Sequence, residues 1–255
     1  ALHLQVMDRR GFAHDPSVEH VAFQAGTIDA LLDGCFDGDA TIGEVRSHGD
    51  LGLGTVRALD GEMVIVDGDA FVVDADGDVR RVHDDTPAPF AVVCRFAPQV
   101  EAAVDRPRSL TELTAFIDEQ VDGPTSVVAV RVAGRFRDLR LRSVRGQTKP
   151  YPSLTEVTAH QTEWTVPEAI GSLVGFRFGD GVAGLEVPGY HLHFLSDDRR
   201  CGGHVLDLVV ESGHLAVDSG DDLHVELPAH VQLGTPGVAD RVAIRRAEGG
   251  LSLIH

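Results

Sequence analysis

Short apolar runs separated by turn residues dominate the hydrophobic pattern of this 255-residue chain. From Glu62 to Val82, β-branched runs alternate with Asp-Gly pairs, which is the strongest hairpin signal in the sequence. The glycine-rich stretch 49–61 lacks the G-K-[ST] ending of a phosphate loop, so it predicts tight turns between strands. Asp74–Gly77 has the spacing that begins a calcium loop, but the glutamate that such a loop requires is missing. A turn is therefore predicted there as well.

Two segments have the pattern of helices. Thr27 can cap a short helix that ends at Gly34. The clearest helix is Ser109–Val121, where Ser109 and Glu112 have the spacing of a capping box and apolar residues form one stripe.

The rest of the chain indicates mainly extended structure. Further strands are predicted at 41–45, at 125–136 and 139–144 with a break at Gly134, and at 172–178. Prolines at 150, 152 and 167 predict an irregular segment between them. The expected fold class is α/β of the α+β, β-dominated kind with two domains. Residues 1–165 are expected to form an N-terminal domain with a mostly antiparallel or mixed sheet. Residues 166–255 are expected to form a smaller β-rich domain that carries the metal-binding hairpin.

The composition limits the function. The net charge of −18 argues against a nucleic-acid partner, which requires concentrated positive charge. With Lys149 as its single lysine, the chain resembles proteins with a solvated acidic shell. The apolar runs are too short to cross a membrane, and the N-terminus lacks the layout of a signal peptide. We therefore expect a cytoplasmic protein with no membrane partner, although a segment before Ala1 would escape this reasoning.

Histidines mark the segment Gly184–Leu208. His191 and His193 lie two residues apart and would share one face of a strand. After the turn-forming residues 196–203, His204 opens a second apolar run that would return beside them. Three neutral imidazoles with open coordination positions are typical of a catalytic zinc site.

Other interpretations of these residues stay open. In a chain with 13 histidines an H-x-H spacing arises easily by chance, so His191 and His193 could be surface or core histidines and His204 an unrelated third. Cys35, Cys94 and Cys201 are odd in number and far apart, which does not favour a disulfide framework or a thiolate zinc cluster. Cys201, in the turn before His204, is a minor candidate for a further ligand.

Several separated motifs resemble the signatures of the acetolactate decarboxylase family. They are GLGT at 52–55, LDGEMVIVDG at 59–68, RSVRGQTKPY at 142–151 and GYHLHFLSDDRRCGGHVLD at 189–207. The resemblance implies an enzyme with a two-domain α/β fold that converts 2-acetolactate to acetoin and carbon dioxide, uses Zn²⁺ held by three histidines and forms a homodimer.

The resemblance also implies the site residues. The zinc ligands would be His191, His193 and His204, and the catalytic residues would be Glu62, Thr55, Arg142 and Glu248. Arg145 is the second choice for the arginine. Two other functions stay open: another three-histidine zinc enzyme, such as a hydratase or hydrolase, and a metal-bearing β-barrel binding module without catalysis. The arginine argues against the hydratase, since a small-molecule hydratase needs no clamp for a carboxylate.

Overall fold

A computed structural model describes residues 2–7, 18–121, 127–179, 182 and 184–228 of the protein. In these residues two large β-sheets and a two-stranded sheet are connected by short helices. The predicted β-dominated α+β fold class is confirmed. No helix in these described ranges is long and apolar enough to span a membrane.

Eight strands form the first sheet. They are β1 (His3–Met7), β2 (Val21–Ala25), β4 (Leu51–Thr55), β5 (Glu62–Val66), β6 (Asp69–Val73), β7 (Val79–Arg81), β9 (Phe90–Cys94) and β16 (Asp222–Glu226). Their order is β1-β16-β2-β9-β4-β5-β6-β7, with β16 parallel to both of its neighbours and every other pair antiparallel. The consecutive pairs β5–β6 and β6–β7 confirm the hairpins predicted over 62–82.

The second sheet is antiparallel and partly closed. Its strands are β10 (Val100–Val104), β11 (Arg108–Ser109), β12 (Val127–Ser143), β13 (Thr162–Phe178), β14 (Gly189–Ser196) and β15 (Gly202–Gly220). Strand β12 pairs with β13, β13 with β14, β14 with β15, and β15 again with β12, so these four strands close a ring. Strands β3 (Ala40–Thr41) and β8 (Pro87–Ala88) form the two-stranded sheet. Residue 165 lies inside β13 and β16 joins the first sheet, so the sheets do not separate at that position. The division into two domains stays a prediction.

The described part of the chain contains four α-helices, which are short and begin at polar caps. They are α1 (Ile28–Leu32), α2 (Ile42–Ser47), α3 (Leu110–Asp118) and α4 (Leu154–Thr158), and a 3₁₀ turn covers Arg57–Leu59. The Thr27 cap of α1 and the Ser109 capping box of α3 are confirmed. The strand predicted at 41–45 is wrong, because Thr41 and Glu44 form a capping box that starts α2. Helix α4, started by Ser153 and Glu156, lies in the segment predicted to be irregular.

Strand β12 runs unbroken through Gly134, so the break predicted there is wrong. A Cβ atom at Gly134 would lie 2.2 Å from the carbonyl oxygen of Ser212 and 2.6 Å from Cα of Gly213. Glycine at this position therefore serves the close approach of β12 and β15 and does not end the strand.

The strands β12 and β13 instead share an irregularity at Asp138 and Pro167. Asp138 has a φ of 50°, and the ladder passes from the pair Arg137–Glu168 to the pair Leu139–Val166. Proline fits such a position because it has no N–H to give to a ladder. Before it, even-numbered residues of β12 such as Val128 and Phe136 fill one apolar cluster; beyond it, the odd-numbered Leu139 and Leu141 do. Arg142 therefore points to the opposite face.

Three apolar clusters stabilise these layers. The first lies between the two sheets and contains Leu53 and Val64 of the first sheet and Val174 and Phe176 of the second. The second lies on the other face of the second sheet and includes residues of α3, and the third lies on the outer face of the first sheet with α2. Side chains that share a face with the first cluster therefore meet between the sheets.

Candidate active site and metal centre

The pairing of three strands places the candidate residues in one row. His204 on β15 lies directly opposite His193 on β14 and opposite Arg142 on β12. Side chains of directly opposed residues share a face and have Cβ atoms about 4.5–5.5 Å apart. His191 precedes His193 by two residues and so joins the same face. All four side chains point away from the second cluster, towards the first sheet, because their neighbours Leu141, Leu192, Phe194 and Val205 fill that cluster.

Two glycines allow β15 to reach both neighbouring strands. A Cβ atom at Gly202 would lie 2.5 Å from the carbonyl oxygen of Phe194, and one at Gly203 would lie 2.8 Å from that of Arg142. Gly203 also has a φ of +132°, which disfavours other residues. The Gly-Gly pair before His204, which the sequence predicted only as turn chemistry, therefore permits the close approach that aligns the row.

The first sheet contributes a second row that faces the first. Thr55 on β4 lies opposite Glu62 on β5, on the face that Leu53 and Val64 turn towards the second sheet. The Thr55 hydroxyl donates to the carbonyl of Gly61 at 2.8 Å. Gly61 has a φ of +107°, and a Cβ atom there would lie 2.4 Å from the carbonyl oxygen of Val73. The D-G-E motif thus brings Glu62 into the strand immediately after a tight turn.

The three histidines form a buried cluster. His191, His193 and His204 have exposed fractions of 5%, 0% and 1%, and each offers a ring nitrogen within 4.8 Å of those of the others. The Nδ1 atom of His193 lies 2.7 Å from the carbonyl oxygen of Met63. A carbonyl only accepts hydrogen bonds, so Nδ1 carries the proton and donates. The lone pair of neutral His193 is therefore on Nε2, and the bond to Met63 fixes the orientation of the ring.

The surroundings keep the imidazoles of His191 and His193 neutral. Burial lowers the pKa of His191 well below its usual value, and the nearby His193 and Arg142 lower it further. Burial also lowers the pKa of His193 to about 3, with a further lowering by Arg142 and a partly opposing effect of the bond to Met63. Neutral imidazole is the form that binds a metal ion. The three buried ring nitrogens that this cluster brings together fit a zinc-type ion. Cys201 does not belong to the cluster.

A buried ion pair connects the two rows. Arg142 Nη1 donates to Glu62 Oε1 at 2.6 Å, and the exposed fractions of these side chains are 1% and 9%. The second carboxylate oxygen of Glu62 lies 3.4 Å from Nε2 of His193. Glu62 therefore contacts both the arginine and the histidine cluster.

A small cleft opens beside this arrangement. Its polar lining consists of Thr55, Glu62, Arg142 and His191, together with Thr158 of α4. Its apolar lining comes from several elements: Ile28 and Leu31 of α1, Leu59, Phe90, Val144 and Leu154 of α4. The cleft has a volume of about 30 Å³, and one buried water needs roughly 10–15 Å³. The cleft suits a ligand of few atoms.

Other residues predicted for the site have different outcomes. Arg145 is exposed and pairs with Asp76 at 2.8 Å, outside the lining of the cleft. Glu248 lies outside the described residues. The sequence interpretation missed the Met63 carbonyl and the walls from α1 and α4. The spacing Ser153–Glu156, a capping-box signature, could have revealed α4.

Known proteins resemble this chain over most of its length. A family model described as alpha-acetolactate decarboxylase matches residues 22–235. An alpha-acetolactate decarboxylase of Methylococcus capsulatus is 41% identical over 210 residues, covering 82% of this chain and 81% of that protein. One of Methanosarcina mazei is 39% identical over 209 residues, covering 82% and 73%.

Solved structures agree with the sequence matches. The crystal structure of alpha-acetolactate decarboxylase from Bacillus subtilis strain 168 superposes with a TM-score of 0.85 at 30% identity, covering 89% of this chain and 99% of that one. A Staphylococcus aureus protein described as similar to alpha-acetolactate decarboxylase has a TM-score of 0.84 at 28% identity, covering 89% and 100%.

Proposed function

This chain belongs to the alpha-acetolactate decarboxylase family, and we propose that it is a zinc-dependent carboxy-lyase that converts 2-acetolactate to acetoin and carbon dioxide. The observation that carries the proposal is the buried histidine cluster in register with Arg142 and in contact with Glu62. Family membership favours this lyase over a hydratase, a hydrolase or a non-catalytic binding module.

His191, His193 and His204 would hold the zinc. An all-imidazole set suits zinc better than magnesium or calcium, which prefer oxygen ligands. When bound, zinc supplies Lewis-acid polarisation of substrate oxygens. The bond of His193 to the Met63 carbonyl supports this assignment, because metal-binding histidines commonly donate their other ring N–H to such a group.

Arg142 would bind the carboxylate of the substrate. A guanidinium has five N–H donors, so an arginine that donates to Glu62 through Nη1 can also donate to a second carboxylate. Two parallel bonds would fix the orientation of the carbon–carbon bond that breaks. Burial of Arg142 strengthens these bonds because little water competes with them.

Proton transfer completes the reaction. Cleavage releases carbon dioxide and leaves an enediolate, which becomes acetoin when one carbon receives a proton. We propose Glu248 as the acid that delivers it, with Glu62 as the alternative, and Thr55 as a hydroxyl that contacts a substrate oxygen. The resemblance supports Glu248, although this residue lies beyond the matched range 22–235. Glu62 is supported by its place in the lining of the cleft.

The proton donor can be identified by the chirality of the product. Replacing Glu248 or Glu62 with Gln keeps the size and removes the acid. The variant that lacks the donor should release acetoin about 10²–10⁴-fold more slowly, or with eroded chirality as water supplies the proton. If Glu248→Gln makes a single enantiomer at the normal rate, the role passes to Glu62 or to water.

A combined metal and product analysis tests the proposal. The purified chain is treated with a chelator, reloaded with zinc and given 2-acetolactate, and acetoin and carbon dioxide are measured. Activity should vanish with the metal and return with zinc. The variant His193→Ala should bind no zinc and form no acetoin. A metal-free chain of full activity would overturn zinc dependence, and a zinc-loaded chain that forms no acetoin would overturn the reaction.

The expected homodimer and cytoplasmic location remain part of the proposal. The resemblance supports the dimer, and the lack of long apolar runs supports the location. Sedimentation equilibrium would give the mass of the particle, and cell fractionation would give its compartment.

A further inference from the structure

Two leucines that line the cleft lie on helices, a different layer than most of its polar groups. Thr55, Glu62, Arg142 and His191 lie on strands of the two sheets, whereas Leu31 and Leu154 lie on the short helices α1 and α4. Both leucines are buried, with exposed fractions of 4% and 3%. The two helices contact each other. Together the two helices close the side of the cleft that the strands leave open.

The proposed substrate likewise has polar groups and separate apolar groups. In 2-acetolactate the carboxylate, hydroxyl and ketone oxygens require the polar groups, so its two methyl groups are left for the apolar wall. A cleft with room for only a few water-sized spheres has little space for a longer alkyl group. Close-packed side chains resist the volume of even one added methylene.

We propose that Leu31 and Leu154 limit the length of the alkyl group on the carbon that loses the carboxylate. The inference rests on the proposed function and adds its specificity-determining residues.

The chain contains a matched control for Leu154. The tetrapeptide Ser-Leu-Thr-Glu occurs at 109–112 and at 153–156, and each copy starts a helix with the same capping box. Leu110 and Leu154 therefore occupy the same helical position, with exposed fractions of 4% and 3%. Leu110 packs in the cluster with α3, and Leu154 lines the cleft. Leu110→Ala thus reproduces the loss of packing without altering the cleft.

The experiment compares two substrates in zinc-loaded enzymes. Release of carbon dioxide gives kcat/KM for 2-acetolactate and for its homologue with a propyl group in place of the 2-methyl group. Leu154→Ala should raise the ratio of propyl to methyl substrate by roughly 10-fold or more, since a methylene in an apolar pocket is worth about 10–200-fold in discrimination. Leu31→Ala should change it in the same direction. Leu110→Ala should leave the ratio at the wild-type value.

Each outcome decides between the two proposals. If Leu154→Ala is folded and active but keeps the wild-type ratio, the specificity inference is overturned alone. If Leu154→Ala does not fold, Leu154→Val takes its place, and an unchanged ratio there has the same meaning. A rise in Leu110→Ala equal to that in Leu154→Ala would assign the effect to general loosening and overturn the inference. A wild-type chain that decarboxylates neither compound overturns the proposed function as well.

Discussion

Replacing Glu62 with Gln tests whether the buried ion pair joins the two sheets. The substitution keeps the shape of the side chain and removes the negative charge to which Arg142 Nη1 donates at 2.6 Å. Arg142 is 1% exposed, so its charge has little access to water once the carboxylate is lost. The free energy of unfolding should therefore fall even when no substrate or metal is present.

The magnitude follows from the burial of both partners. Removing one partner of a buried ion pair typically costs roughly 3–5 kcal/mol, a large part of the roughly 5–15 kcal/mol that stabilises a domain. Removing both charges in Glu62→Gln/Arg142→Met should recover most of this loss, because neutral replacements of buried pairs are often neutral or stabilising by about 1–4 kcal/mol. The double variant should thus be more stable than Glu62→Gln and have no decarboxylase activity.

Urea unfolding of the chelator-treated proteins measures these differences without a contribution from metal binding. Glu163→Gln is the control. Glu163 on β13 pairs at 4.0 Å with Arg140, which lies on β12 as Arg142 does, and both side chains are about half exposed. Loss of such an exposed pair should cost about 0–1 kcal/mol. Equal stability of Glu62→Gln and Glu163→Gln, or a double variant less stable than Glu62→Gln, would refute the reasoning.

Three further outcomes are expected. Mass spectrometry of the metal should find about one zinc per chain and none in His191→Ala, because a zinc site needs its full ligand set; unchanged metal content would contradict the site. Arg142→Lys should keep zinc yet lose most decarboxylation, since an ammonium cannot form two parallel bonds, while Arg145→Lys should stay active; the reverse pattern in the acetoin assay would move the role to Arg145. Ser143→Ala removes a bond of 2.8 Å to the buried carbonyl of Val73 and should lower stability to urea by about 1–3 kcal/mol; no change would show that the bond contributes nothing.

Capping-box spacings mark the starts of helices that the apolar pattern alone does not predict. The capping-box spacing of Ser or Thr followed three residues later by Glu starts a helix at 41–44, 109–112 and 153–156. The same spacing at 165–168 includes Pro167 and lies inside strand β13. The sequence interpretation used the spacing at 109–112 alone. The β-branched residues of 41–45 favoured a strand, and the prolines around 153 favoured a loop. In both cases the satisfied N–H groups at the cap decided the structure.

The histidines of the site could be predicted because they lie two apart on one strand and at the start of the next. The face of strand β12 on which Arg142 lies could not be predicted. Counting by two from Val128 would place Arg142 in the apolar cluster with Val128 itself, on the face away from the histidines. Likewise, the inward face of Glu62 depends on which side of the first sheet the second sheet covers, and no local pattern contains that information.

The irregularity at Asp138 and Pro167 shows that the faces of the side chains in the antiparallel pair β12–β13 depend on strand length. A change by an odd number of residues in one strand reverses these faces, and a change by an even number preserves them. Each strand holds one surplus residue there, and the two surpluses lie side by side, so the pairing beyond them is preserved. Removing both together would leave Arg142 on its present face. Removing a single residue of β12 between Val128 and Phe136 would reverse either the faces that come before it or those that follow it. Relatives with shorter or longer versions of this strand pair should therefore differ by matched changes, one on each strand, and a lone insertion should be found only where a new bulge absorbs it.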